Sequence, residues 1–185
     1  MFYKWDATDR TNFVTCTIEE FDGWTRFCWS SGEPYFKVIL PEILTYHCDK
    51  NLPLGDFPYS NSGQFLVSGR VADLFKEMNA QNIDYYESRL IQPNDTVIEG
   101  YVTVVIRNVI KCINLNKSLY RIGKICDEEY YSFYEITLDS EKIPPGTVLF
   151  RIEEDIGHEI VHERLKQALE KINVDGVTFK QMKMI

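Results

Sequence analysis

Two stretches of this 185-residue chain carry one hydrophobic pattern at a constant offset of 94 residues, and that repeat limits the fold more than any other feature. From Arg70 to about Gln81, the residues Val71, Leu74, Phe75 and Met78 fall at i, i+3, i+4 and i+7, which places them on one helical face. Gln64–Val67 ahead of them reads as a short strand with Ser68 as N-cap, and Ile83–Ile91 resumes as a strand. Further on, Leu165, Ala168, Leu169 and Ile172 take the same four helical positions. Val177 and Phe179 then stand where Ile83 and Tyr85 stood, without a gap. Two strand–helix–strand units, about 64–91 and 158–183, predict an α+β fold. Its sheet is mixed and mostly antiparallel, with few helices.

The rest of the chain reads as strands and turns. Phe13–Ile18 and Tyr35–Leu40 are strand candidates, with turn signals at Asp22-Gly23 and Ser31-Gly32. Pro53, Gly55, Pro58 and the Ser60–Gly63 cluster mark a loop. The chain is therefore expected to be a single domain over 1–185, with a loop-rich, aromatic N-terminal lobe at 1–62 and a more regular part at 63–185. The β-branched run Thr96–Ile113 predicts one long strand or a bent pair. Leu119–Ile125 and Tyr130–Leu138 follow as strands around an acidic turn, Asp127-Glu128-Glu129. After the Pro144-Pro145-Gly146 turn, Thr147–Ile152 is another strand.

A formal net charge of −8 is the wrong sign for a protein that replaces phosphate counterions, so DNA and RNA are not expected as direct ligands. No apolar run is long enough to span a membrane, and the start lacks the basic and apolar regions of a signal peptide. The five cysteines are scattered, without a CxxC pair, and read as reduced and mostly buried in a cytoplasmic protein. The aromatic share of 14% fills a sheet-rich core and also supplies the residue types that anchor protein interfaces.

His158-Glu159-Ile160-Val161-His162 reads HExxH, the string with which zinc proteases place two histidines one helical turn apart around a general base. The 94-residue register argues against that reading, because it sets His162 on Ser68, the N-cap slot. The residues before it then fall in a strand and the loop that leads to it, and Gly157 predicts a turn. On a strand, histidines four apart are separated by about 13 Å, too far to chelate one ion. No histidine lies downstream, and Glu163 and Glu170 fall within the helix that follows. No catalytic residue, metal ligand or cofactor is therefore assigned. No P-loop, nucleophile elbow or dinucleotide fingerprint is present either, and His47 beside Cys48 is a chain neighbour rather than a facing pair.

The spread of motifs resembles a known family. Phe21-Asp22-Gly23 is followed by Trp29, and Gly55-Asp56-Phe57 precedes Phe65-Leu66-Val67-Ser68. Then come Asn108–Asn114, Leu149-Phe150-Arg151, and Ile160-Val161-His162 leading into the second helix and Gly176-Val177. In that order they resemble the eleventh family of bacterial polymorphic-toxin immunity proteins. The resemblance implies a non-enzymatic protein that binds and neutralises a cognate toxin domain, and an acidic chain suits a basic one. It supplies no residue-level site. Acid beside aromatic residues marks Asp127, Glu128, Tyr130 and Tyr131, and with Trp24 these are the residues to consider for that partner. Two alternatives stay open: a zinc-dependent hydrolase using the 158–162 string, and a general protein-interaction domain unrelated to toxins.

Overall fold

The computed structural model describes residues 1–7, 15–19, 42–51, 53–60, 65–125 and 128–185. It opens with strands β1 (Phe2–Ala7), β2 (Thr15–Ile18), β3 (Ile43–Cys48), β4 (Tyr59–Ser60) and β5 (Phe65–Ser68). Helix α1 (Gly69–Glu77) leads into β6 (Ile83–Ile91), β7 (Val97–Ile106) and β8 (Val109–Ile110). Next come β9 (Leu119–Ile125), β10 (Glu128–Glu135), β11 (Thr137–Leu138), β12 (Leu149–Ile152) and β13 (Asp155–His162). Helix α2 (Glu163–Lys171), β14 (Val177–Gln181) and β15 (Lys183–Met184) complete the set. The fold is α+β, rich in strands, with mostly antiparallel pairing. Among the described residues no helix is long and apolar enough to cross a membrane.

The expected repeat is present in backbone detail. Helices α1 and α2 begin and end at the same offset of 94 residues. Each stops in a Schellman motif, with an asparagine in the left-handed conformation just past the cap: Asn79 (φ 53°) and Asn173 (φ 51°). Asn79 N–H donates to the Lys76 carbonyl (2.9 Å) and Ala80 N–H to that of Phe75 (3.0 Å). In the second unit Asn173 N–H donates to Glu170 (3.0 Å) and Val174 N–H to Leu169 (3.4 Å). This motif ends α1 at Glu77, four residues short of the expected Gln81, because a left-handed residue cannot extend a right-handed helix.

In each unit the two strands that flank the helix are separated by a third. Strand β7 lies antiparallel between β5 and β6, with Ser68 opposite Tyr101 and Tyr85 opposite Val104. In the second unit β1 fills that slot between β13 and β14, with His162 opposite Phe2 and Phe179 opposite Trp5. The registers coincide pair by pair. The middle strand follows β6 directly in the first unit, whereas residues 2–7 supply it in the second. Sequence reading missed this strand, although Lys4-Trp5-Asp6 alternates in period two.

The first unit belongs to a six-stranded sheet in the order β4-β2-β3-β6-β7-β5, the second to a five-stranded sheet in the order β14-β1-β13-β12-β8. Strands from residues 1–62 are thus interleaved with strands from the rest of the chain in both sheets. Alternate strand residues face different cores. Val67, Val104, Leu149 and Val161 join Val71, Phe75, Leu165 and Leu169 of the two helices in one central core. Leu66, Val105 and Leu90 face a second core beyond the six-stranded sheet, and Phe150 and Ile160 a third beyond the five-stranded one. Trp5 sits in the central core, with ring centroids 4.6 Å from Phe57, 4.8 Å from Phe65, 6.1 Å from Phe75 and 5.8 Å from Phe179.

A polar clamp also joins the units. Asp56, 5% exposed, accepts from Ser68 Oγ (2.6 Å) and Arg70 Nε (2.7 Å). Arg70 also donates from Nη1 to the Ile172 carbonyl at the end of α2 (3.0 Å). Asp56 and Asp175 bond reciprocally, each backbone N–H to the other's carboxylate (2.5 and 3.3 Å). Ser68 therefore occupies the N-cap position but caps with its backbone alone, since its hydroxyl is committed to Asp56. Gly55 has no Cβ because the Asp175 carboxylate fills that space.

Other expectations shift in detail. The Thr96–Ile113 run is a bent pair, β7 and β8, and Tyr130–Leu138 is divided into β10 and β11 with a register shift between Phe133 and Glu135. Gly157 lies inside β13, and the turn occurs at 153–154 instead. There the Glu154 carboxylate accepts from the Ile113 (3.1 Å) and Cys112 (3.3 Å) amides, so it is more than a solvated charge. Of Phe13–Ile18 only β2 is described. Tyr35–Leu40 and the two early turn signals lie outside the described residues.

Replacing Trp5 by Ala is expected to destabilise the protein by about 3–5 kcal/mol in urea unfolding, the range for emptying a large aromatic site. Burial pushes the Asp56 carboxyl up, but hydrogen bonds from Arg70, Ser68 and the Asp175 amide outweigh it and hold the pKa below the usual carboxylate range. Its contribution to stability is then complete above the unfolded value of about 3.9 and lost as pH falls through the lowered folded value. Asp56→Asn should cost about 2 kcal/mol at pH 7, and the gap to wild type should close in acid unfolding curves.

Candidate partner-binding surface

The HExxH string lies on β13, so neither histidine is helical. Glu159 faces Arg151 directly across the β12–β13 pair and the two side chains form an ion pair, 14% and 4% exposed. Burial raises the Glu159 pKa against the pull of Arg151, and burial lowers that of Arg151. Held in this way, Glu159 has a buried cation as its partner. His162 Nδ1 accepts from the Arg164 amide (3.2 Å), capping α2, and its ring packs edge-on against Phe2 at 5.0 Å. Burial lowers its pKa, which favours the neutral ring that this cap requires. His158 has the Asp155 carboxylate 3.1 Å from Nδ1, outside hydrogen-bonding orientation. Among the described residues no three His, Cys, Asp or Glu side chains are grouped to hold a metal ion. His47 is exposed on β3 while Cys48 beside it is buried, as strand alternation requires.

The sequence-derived partner residues separate. Trp24 and Asp127 lie outside the described residues, and Glu128 is placed only as the first residue of β10. Tyr130 and Tyr131 are both described and both exposed. As neighbours on one strand they point to opposite faces of the β9–β10 hairpin. The expected acidic turn is partly strand, since Glu128 and Glu129 pair with Ile125 and Lys124.

The hairpin is a two-stranded sheet of its own. One face carries Tyr120, Ile122, Tyr131 and Phe133. Tyr131 stacks on Phe133 (5.7 Å), and Tyr120 meets Tyr131 edge-on at 5.3 Å. Phe133 reaches the third core and fixes the base of this ladder. The other face carries Leu119, Arg121 and Tyr130, whose ring lies across Gly123 in the space a Cβ would take. Below the hairpin, Ser118 Oγ donates to the Asn114 carbonyl (2.8 Å) and accepts from the Thr137 amide (2.9 Å). Lys183 pairs with Glu135 (2.5 Å). The base is therefore tied to the body by polar contacts, while the aromatic length is left in solvent.

Nine large hydrophobic side chains are exposed among the described residues, and five of them, Leu119, Ile122, Tyr130, Tyr131 and Tyr134, belong to this hairpin. Scattered exposed apolar residues need no explanation, but a concentration on one element does. Leu119, Ile122 and Tyr134, missed in the sequence reading, are 61%, 54% and 66% exposed. Period-two alternation could not reveal them, because both faces of the hairpin carry apolar residues.

A family model described as Immunity protein family (Imm11) matches residues 31–184. No curated protein matches the chain.

Glu159→Ala should cost about 3 kcal/mol or more in unfolding experiments, since it removes the carboxylate that pairs with the buried Arg151 guanidinium. A catalytic base in a zinc site would instead be removed with little change in stability and a complete loss of hydrolysis.

Proposed function

The chain belongs to the Imm11 immunity protein family, and from that premise we propose that it is a non-enzymatic protein that binds and neutralises a cognate bacterial toxin domain. The observation that carries the reading is the β9–β10 hairpin, which concentrates exposed aromatic and aliphatic side chains on both faces. Burial of such groups in a partner is the main source of binding free energy, and tyrosine brings large area with few rotatable bonds. Apolar residues on both faces fit entry into a cleft better than docking on a flat surface, which would leave one face wet. Stacking of Tyr131 on Phe133 places these rings before a partner arrives, which lowers the ordering cost of association. A net charge of −8 favours a basic toxin domain through long-range steering. Such a partner is met in the cytoplasm if the chain protects the cell that makes it.

Co-expression with a toxin domain encoded beside its gene should restore growth, and the two should co-purify. Tyr131→Ala and Tyr130→Ala, on opposite faces, are each expected to weaken binding by about 2 kcal/mol, roughly 30-fold in Kd. The measurement is calorimetry with variants whose unfolding midpoints match wild type. Loss on one face alone would indicate flat docking. Unchanged affinity in both, or no protection from any adjacent toxin domain, would overturn the reading.

A further inference from the structure

Cys16 on β2 and Cys48 on β3 are direct partners across an antiparallel pair. Asp49 N–H donates to the Thr15 carbonyl (3.0 Å) and Glu19 N–H to that of Thr45 (2.8 Å). Those bonds mark alternate positions of the ladder, so Cys16 and Cys48 form a non-hydrogen-bonded pair. Such pairs have Cα atoms about 4.5 Å apart and the closest side chains. A disulfide accepts Cα separations from about 4.4 to 6.8 Å. The sulfur atoms are 3.8 Å apart, and both side chains are buried in the core that holds Leu44, Tyr46 and Leu90.

We propose that Cys16 and Cys48 form a covalent modification site at which a small oxidant, hydrogen peroxide, closes a cross-strand disulfide. Cys48, 7% exposed against 0% for Cys16, reacts first. Its thiolate attacks one peroxide oxygen, the O–O bond breaks, hydroxide leaves and a sulfenic acid forms. The Cys16 sulfur then attacks that sulfur, the S–O bond breaks, and the hydroxyl leaves as water with the Cys16 proton. Two thiols and one peroxide become one disulfide and two waters. Burial keeps both thiols protonated, so closure is slow and waits on local opening that admits the oxidant. In reducing surroundings the pair stays as thiols. The two cysteines are 32 positions apart, so the bond makes the segment between β2 and β3 a covalently closed loop and restricts the unfolded chain.

The test is to treat the intact native protein with hydrogen peroxide, quench, unfold, and alkylate the remaining thiols before mass spectrometry. Two of the five cysteines should resist alkylation, and proteolysis should yield one joined peptide pair containing Cys16 and Cys48. The oxidised protein should unfold at a higher denaturant concentration than the reduced one, and Cys48→Ser should lose both effects. Cys16→Ala, which places no hydroxyl in the core, serves the same purpose if Cys48→Ser fails to fold. Oxidised wild type in which both cysteines remain alkylatable, or in which the cross-link runs through other cysteines, overturns the proposal.

Discussion

The structure depends on one shared apolar volume that two small units fill together. Each unit presents an amphipathic nine-residue helix, and a helix that short has little stability in water without packing. Val71 and Phe75 of one helix meet Leu165 and Leu169 of the other in the central core, so each helix completes the burial of its counterpart. Trp5 fills the space between, touching Phe65 and Phe75 of the first unit and Phe179 of the second. A large side chain from the first strand of the chain therefore locks elements sixty or more residues away.

Around that core, polar interactions settle orientation rather than supply the main stabilisation. Asp56 and Arg70 connect the start of α1 to the end of α2, where the carbonyls left over by the helix would otherwise lack donors. The helix dipole adds to this, because its negative end meets a guanidinium. The Arg151–Glu159 pair fixes the register of β12 against β13 in the same way. A one-residue slip there would separate two buried charges that now pair.

The β9–β10 hairpin stands outside this arrangement, and it is where a binding reading has the most physical support. Its aromatic residues contact one another, yet they keep much of their surface in solvent. An immunity protein needs a body that is stable without its partner and a surface completed only by that partner. Under the proposed reading, those requirements fall on different elements.

The repeat was legible in the sequence because helical and strand periodicities are local, and the 94-residue register survived as far as the left-handed asparagines that end both helices. The same register correctly removed the HExxH string from any helix. The partner of Glu159 was not legible, since Arg151 is brought opposite it by a strand pairing whose turn was read at the wrong place. Nor was the role of β1, because a strand slotted between two others from the far end of the chain leaves no mark on its neighbours in sequence. The separation of Tyr130 from Tyr131 follows from strand geometry, but only once β10 is known to be a strand at those positions. Sequence by itself determined the two units and their faces, which rest on contacts a few residues apart. The tertiary structure decided which strands meet, which carboxylates are neutralised and which aromatics stay in solvent. Those outcomes depend on excluding water from surfaces that distant segments share.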